Sequence, residues 1–418
     1  MKFTFYGGAE EVGRSCIEVD ERILLDAGLK ITEEGSEYPV MEDCSHIKGV
    51  FLGHAHLDHC GALPLFNKRG LDCGIYCNAM TKQTAKILMK DSYQIELINK
   101  QHPIYTKDNL MSVISFMENV KYDKTYRLDD IKFSFHYGGH IPGASAIVLE
   151  INNKRILYTG DFNTIDTNLL RGAKMKFNNI HTMICEATYG DRPHPGRKAE
   201  EKRFLKSIRR VIERGGNVLI PTFAVGRAQE IMEMLNKENF GVPIYLDGMA
   251  KRVTNLYRRL PEYINDPGKL NDAVSKVNFI KKWRERKEIV KQQSIIITTS
   301  GMLDGGPVID YLGYFYHDEK NGVFLTGYQG EGSNGRLLLD EGRIFIDGVR
   351  VKMKAEVEKF DFSAHAGKKE LIETISKTAP KNLILQHGDL EPLEELRAEF
   401  EGRMNVFVPK LGETLYVD

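Results

Sequence analysis

The residues with the greatest chemical reach in this chain form one short run, Gly53-His54-Ala55-His56-Leu57-Asp58-His59, directly after the apolar stretch GVFL. In an extended segment residues i and i+2 project to one side, so His54 and His56 can share one metal ion. Asp58 and His59, at the start of an expected helix, turn back and can serve a second. Imidazole and carboxylate are ligands that zinc takes in catalytic sites, where water occupies the open position. Further candidates stand at the ends of strand-like runs: Asp26 after RILL, His140 after HYGG, Asp161 after ILYTG and His387 after LILQ. Strand C-termini are where α/β sheets commonly place their sites. Taken singly, an Asp after a strand is more often a turn residue or helix cap, and a lone His there more often a hydrogen-bonded core residue. Yet six of the chain's 12 histidines (His54, His56, His59, His140, His365 and His387) lie in Gly- or Asp-flanked loops beside apolar strands. Packing does not account for that clustering.

The elements that must hold these groups follow from the pattern. A length of 418 residues suggests two or three domains at roughly 150 residues each, and 42% apolar with 28% charged residues argues against disorder. Short strand-like runs fill the first third (FTFYGG, SCIEV, RILLDAG, KGVFLG), with helical patterns over 56–70 and 81–100, and strands return at 131–139, 145–152 and 154–161. This is α/β layering. From about Asp191 the texture becomes charged helices alternating with apolar strands (NVLIPTF, VPIYLDG, SIIITTSGM, GVFLTGYQ), as parallel βα units require. A third texture begins near Lys354. One domain inserted into another, with the last segment returning to the first, fits this order.

Net charge is zero, with Lys+Arg 58 against Asp+Glu 58, so a polyanionic partner would need a local basic groove. Two basic clusters exist: Lys251-Arg252…Arg258-Arg259, where Arg252, Asn255 and Arg259 would share a helix face, and Lys281-Lys282-Trp283-Arg284. Each reads as a solvated face or as a phosphate-tracking surface. Cys73 and Cys77 lack a second Cys/His pair and read as reduced thiols. No apolar stretch is long enough for a signal peptide or a spanning helix, so the expectation is a soluble, cytoplasmic protein without membrane contact. Gly330-Glu331-Gly332-Ser333-Asn334-Gly335 satisfies GxGxxG, but RLLLDEGRIF after it is too short and strand-like for a dinucleotide-binding helix. Gly332, Ser333 and Arg336 are instead candidates for phosphate contact. Ser300 in TTSGM is another, with a turn or cap role as its alternative.

LLDAG, HAHLDH, GGHIPGAS and YTGDFN resemble, in order, the four motifs of the metallo-β-lactamase fold, and ICEATYGDR, FSAHAG and LILQHGD resemble three further motifs of its β-CASP subgroup. The match spans essentially the whole chain. It is most similar to archaeal and bacterial ribonucleases related to the cleavage and polyadenylation specificity factor endonuclease, and to ribonuclease J. The resemblance implies an α/β architecture: an αββα metallo-β-lactamase sandwich (1–190 and 354–418) with an inserted β-CASP domain on a parallel sheet (191–353) and the active site in the cleft between them. It further implies two zinc ions, one on His54, His56, His140 and Asp161, the other on Asp58, His59, His387 and the shared Asp161. Asp26 would orient a ligand rather than bind metal. His365 would be the general acid, Glu186 would hold its imidazole cationic (its alternative being a surface or capping carboxylate), and Ser363 would bond a phosphate oxygen, with a simple turn residue as its alternative. The implied function is hydrolysis of single-stranded RNA by an activated hydroxide, most naturally endonucleolytic RNA processing, and His387 goes with RNA rather than DNA substrates. A 5′→3′ exoribonuclease, a non-catalytic RNA-processing subunit and a small-molecule metallohydrolase are the alternatives. A homodimer through the C-terminal strand region is implied by the family alone.

Overall fold

Alternation along the N-terminal strands sets up the first layers. Phe3 and Phe5, Ile17 and Val19, and Ile23 and Leu25 turn to one face, with Leu24, Val50 and Leu52 on the other, because successive strand side chains point to opposite sides. The computed structural model describes residues 1–32, 35–98 and 103–418. It divides into two units: Met1–Asp166 with Arg171–Pro193 and Ala364–Asp418, and Thr167–Leu170 with His194–Ser363.

The first unit holds two seven-stranded sheets. One runs in the order Thr414–Tyr416, Lys2–Gly7, Cys16–Val19, Ile23–Leu25, Gly49–Phe51, Gly74–Cys77, Met117–Asn119. The other runs Asn405–Phe407, Asn382–Gln386, Thr182–Glu186, Lys154–Tyr158, Ser145–Ile151, Ile131–Tyr137, Thr125–Leu128. Phe3, Phe5, Ile17 and Phe51 of the first sheet pack with Phe133, Phe135, Ile147 and Tyr158 of the second in one buried cluster. The sheets therefore face each other across an apolar core. Their outer faces are covered by helices. Ala79–Ile98 and Lys107–Phe116 join the cluster around Leu24 and Val50, and Lys368–Thr378 and Leu390–Ala398 join that around Leu157 and Met183. The helix expected over 81–100 is Ala79–Ile98, its last two expected positions lying outside the described residues.

Strand direction matters most for the site. Ile23–Leu25, Gly49–Phe51 and Gly74–Cys77 are mutually parallel, as are Lys154–Tyr158, Thr182–Glu186 and Asn382–Gln386. Ile131–Tyr137 is two antiparallel steps from Lys154–Tyr158, so it too ends on that side. All the strands that precede candidate ligands thus deliver them from C-terminal ends.

The second unit is a six-stranded sheet in the order Val277–Phe279, Ile244–Leu246, Ile295–Thr298, Val218–Pro221, Gly322–Leu325, Glu356–Lys359, parallel throughout. Alternation of these strands with the helices Arg197–Glu213, Arg227–Leu235, Ala250–Arg259 and Pro307–Phe315 follows the βα pattern. Residues 354–363, expected with the returning segment, instead contribute the edge strand Glu356–Lys359 to this sheet. Its sequence EVEK is charged at three of four positions, so it lacks the apolar run that marks its neighbours.

Candidate metal centre

The loop after Gly49–Phe51 and the helix Leu57–Cys60 hold the HAHLDH run. Gly28 lets it close down: a Cβ there would lie 1.7 Å from the Asp58 carbonyl oxygen, an approach only glycine allows. Gly139, before His140, has φ +74, and a Cβ on it would meet the Asn163 carbonyl oxygen at 2.3 Å. Asp26 (φ 60) and His387 (φ 53) are non-glycine residues in left-handed conformation. Such strain, of order 1–3 kcal/mol each, persists where the surroundings over-determine it.

Two groups of ligand atoms form, each within 4.8 Å: His54, His56, His140 and Asp161, and Asp58, His59, Asp161 and His387. In the first, His54 Nε2 and His140 Nε2 lie 3.0 and 3.2 Å from His56 Nδ1, and 3.5 and 3.8 Å from Asp161 Oδ2. In the second, His59 Nε2 is 3.2 Å from Asp161 Oδ2, and His387 Nε2 is 3.4 Å from Asp58 Oδ2. Burial pushes His54, His56 and His140 below the usual imidazole range, which leaves them neutral with lone pairs to give. Burial opposes charge on Asp161, but His387, His59 and His54 around it hold its carboxyl well below the usual carboxylate range. Burial likewise opposes a cationic His59, and there Asp161, Asp58 and Asp26 outweigh it.

The residues fit a metal. His59 Nε2, His387 Nε2 and Asp161 Oδ1 are buried without a hydrogen-bond partner among the described residues. An unsatisfied buried polar group costs about 1–3 kcal/mol, and convergence of several on one spot is stable only with a cation to share. The donors are nitrogen and oxygen alone, as zinc and other borderline divalent ions accept.

Around the ligands lies a supporting layer. His59 Nδ1 meets Asp26 Oδ2 at 2.6 Å, and His140 Nδ1 donates to the Ala364 carbonyl at 2.9 Å, so each ring presents Nε2 to the centre. Asp26 is itself held: the Gly53 N–H donates to Oδ1 at 2.6 Å and the Tyr158 hydroxyl to Oδ2 at 2.5 Å. Tyr158 in turn sits 3.2 Å from Ser15 Oγ. Beside the centre, His365 Nδ1 meets Glu186 Oε2 at 2.9 Å, and its ring lies 4.4 Å from that of His140. Glu186 also accepts from the Phe162 N–H at 2.9 Å and the Thr188 hydroxyl at 2.6 Å. Burial would lower His365, but the Glu186 carboxylate, with Asp161 beyond it, lifts its pKa to about 9.

Asp26, Glu186, His365 and the seven expected ligands are thus gathered in the first unit. Ser300, Gly332, Ser333, Arg336 and Ser363 belong to the second. There Ser333 caps the helix Asn334–Glu341, its Oγ accepting from the Arg336 N–H at 3.1 Å, and Arg336 Nε bonds Asp340 at 2.7 Å. The Ser363 carbonyl accepts from Arg197 at 2.9 Å, and Ser300 Oγ is buried without a hydrogen-bond partner among the described residues. Sequence reasoning missed Tyr158, Ser15 and Thr188. Thr188 was within reach, standing two residues beyond Glu186 in the same motif.

Two layered sheets with histidine and aspartate ligands at their strand ends define a metallo-hydrolase of the metallo-β-lactamase type, and the chain belongs to the β-CASP family of that superfamily. Family models match as a metallo-beta-lactamase superfamily domain over 16–188, a Beta-Casp domain over 228–338 and a Zn-dependent metallo-hydrolase RNA specificity domain over 350–409. The chain is 41% identical over 430 residues to the probable RNase MJ4 of Methanocaldococcus jannaschii, covering 100% of both. It is 34% identical to the RNase aCSPSF2 of Saccharolobus solfataricus, over 91% of this chain and 78% of that one. With the transcription termination factor FttA of Pyrococcus horikoshii it shares 33% identity, over 97% of this chain and 69% of that protein. A protein of unknown function from Enterococcus faecalis V583 shares the fold, with a TM-score of 0.60 at 16% identity, covering 99% of each chain. Among the described residues no helix is long and apolar enough to cross a membrane.

Proposed function

We propose that this protein is a zinc-dependent endoribonuclease that hydrolyses phosphodiester bonds of single-stranded RNA. The observation that carries it is the pair of ligand groups sharing Asp161 with a carboxylate-backed histidine beside them. Relatives named as ribonucleases and the RNA specificity domain model support RNA as the substrate. His54, His56, His140 and Asp161 would hold one zinc ion, and Asp58, His59, His387 and Asp161 a second. When bound, the ions supply an activated nucleophile at neutral pH and positive charge for the phosphoryl transition state.

The chain's own groups do the rest. Asp26 fixes the tautomer and angle of His59. Glu186 accepts from His365 Nδ1, which leaves the Nε2 proton of the imidazolium for the departing 3′-oxygen. A leaving alkoxide needs that proton, and general acids at such positions contribute typically 10²–10⁴-fold.

The test uses metal-loaded protein and an unstructured RNA labelled differently at its two ends, with His59→Ala as control. Discrete internal fragments from both ends are expected. Early release of the 5′ label as mononucleotide would replace the endonuclease with a 5′→3′ exonuclease. Absence of cleavage by the loaded protein would remove the ribonuclease assignment.

A further inference from the structure

The chain contains one tryptophan, and the fold leaves it outside: Trp283 is 67% exposed. An indole covers about 150–250 Å² when buried, so a solvent-facing one adds little to folding. Its setting in the second unit is built rather than loose. Trp283 stands in the turn before the helix Glu285–Ile289. The Glu285 carboxylate accepts the Lys281 N–H at 3.3 Å and the Lys282 N–H at 3.0 Å. On the other side the Trp283 carbonyl accepts from the Arg286 N–H at 3.2 Å, and the Arg286 side chain is tied to Asp247 at 2.7 Å and Asp310 at 2.5 Å. The turn is pinned at both ends while its side chains stay in solvent.

Three cations flank Trp283 in sequence. Lys281, Lys282 and Arg284 are exposed, and among the described residues none has a carboxylate within ion-pair distance; the nearest in sequence, Glu285, spends both oxygens on backbone. The Arg284 guanidinium lies 5.6 Å from the indole centroid, close enough to bias both groups through a cation–π contact. An open aromatic face beside unneutralised cations matches a polyanion that carries planar rings.

We propose that Trp283, with Lys281, Lys282 and Arg284, is a stacking platform that binds an unpaired stretch of RNA on the second unit; this rests on the single-stranded RNA substrate proposed above. Every base has a π-face, so stacking tolerates any sequence, while the cations track phosphates. A duplex hides those faces and would gain only the charge. A bilayer is a poorer match, because the five-residue helix behind the turn carries Glu285, Arg286, Lys287 and Glu288, and its one aliphatic residue, Ile289, is buried. No apolar face remains to enter a membrane.

The single tryptophan makes the test direct. Full-length, metal-loaded protein is titrated with a cleavage-resistant phosphorothioate oligouridylate while tryptophan emission is followed. Saturable quenching is expected in the parent; binding read from the anisotropy of a dye-labelled form of the same oligouridylate should be about tenfold weaker in Trp283→Ala and largely restored in Trp283→Phe. Lys281→Ser with Lys282→Ser should lower the log–log salt slope by roughly 1.4, about 0.7 for each single-strand phosphate contact. Emission that stays constant at saturating RNA, or responds equally to inorganic polyphosphate or to anionic phospholipid vesicles, overturns the platform. Cleavage of unmodified RNA is scored on the same preparation. Cleavage without a tryptophan response removes the platform and leaves the ribonuclease standing, whereas a response without cleavage does the reverse.

Discussion

Asp26 accepts three hydrogen bonds on two oxygens, from Gly53, Tyr158 and His59, and so has almost no freedom of its own. That makes Tyr158 a positioning residue for His59 through Asp26, with two residues between it and any ion. Tyr158→Phe should weaken metal binding about 10- to 100-fold, measured by competition with a chromophoric chelator. His365→Ala should instead keep metal content near that of the parent while turnover falls on the order of 10²–10⁴-fold. Equal metal loss in both variants would contradict this division of roles. The clustered histidines and aspartates of the candidate centre were legible because their types are few and their places, just past strand ends, are characteristic. Tyr158 was not, since a tyrosine closing an apolar strand reads as core, and it is indeed fully buried. Its hydroxyl reaches a carboxylate 132 positions away in sequence, a pairing no local pattern signals.

At the scale of elements, the helix Arg227–Leu235 buries a carboxyl with no partner. Both oxygens of Glu233 lack a hydrogen bond among the described residues. Burial, reinforced by Glu230 and Asp266 and opposed by Lys269 and Lys237, pushes its pKa up to about 8. The folded state then holds a proton that the unfolded chain releases near its ordinary value of 4.5. Stability must therefore fall as pH rises from about 4.5 to about 8, by on the order of 1 kcal/mol per unit. Thermal melts across that range should show the decline in the parent and a flatter profile in Glu233→Gln; parallel profiles would contradict it. Elements with clear apolar alternation, such as Lys2–Gly7, or with a continuous apolar run, such as Ser145–Ile151, were legible from sequence. The hairpin Arg343–Ile346 with Val349–Lys352 was not recognised, although Asp347 (φ 48) and Gly348 (φ 79) form its turn and Asp-Gly between alternating residues is its usual signal. Reading RLLLDEGRIF as one unit hid both the helix Asn334–Glu341 and the strand after it.

For the whole molecule, candidate ligands that arrive from both sheets would make a bound metal a cross-link within the first unit. Removing it with a chelator should increase amide exchange in the loops at 53–60, 138–141 and 386–388, because ligand binding stabilises only states that contain the intact site. Protection of the second unit's central strands, Val218–Pro221 and Ile295–Thr298, should be unaffected. Uniform loss throughout the chain, or none, would contradict a centre confined to the first unit. The order of the chain carries one more consequence. His387 follows the strand Asn382–Gln386, which docks beside Thr182–Glu186 only after the whole second unit has intervened in sequence. A centre that takes His387 as a ligand is completed only when this late segment has left the ribosome. A nascent polypeptide that ends before His387 would hold only the first of the two ligand groups, and so would any product of termination ahead of that residue. If both groups are needed for cleavage, order of synthesis would itself act as a safety catch on the enzyme.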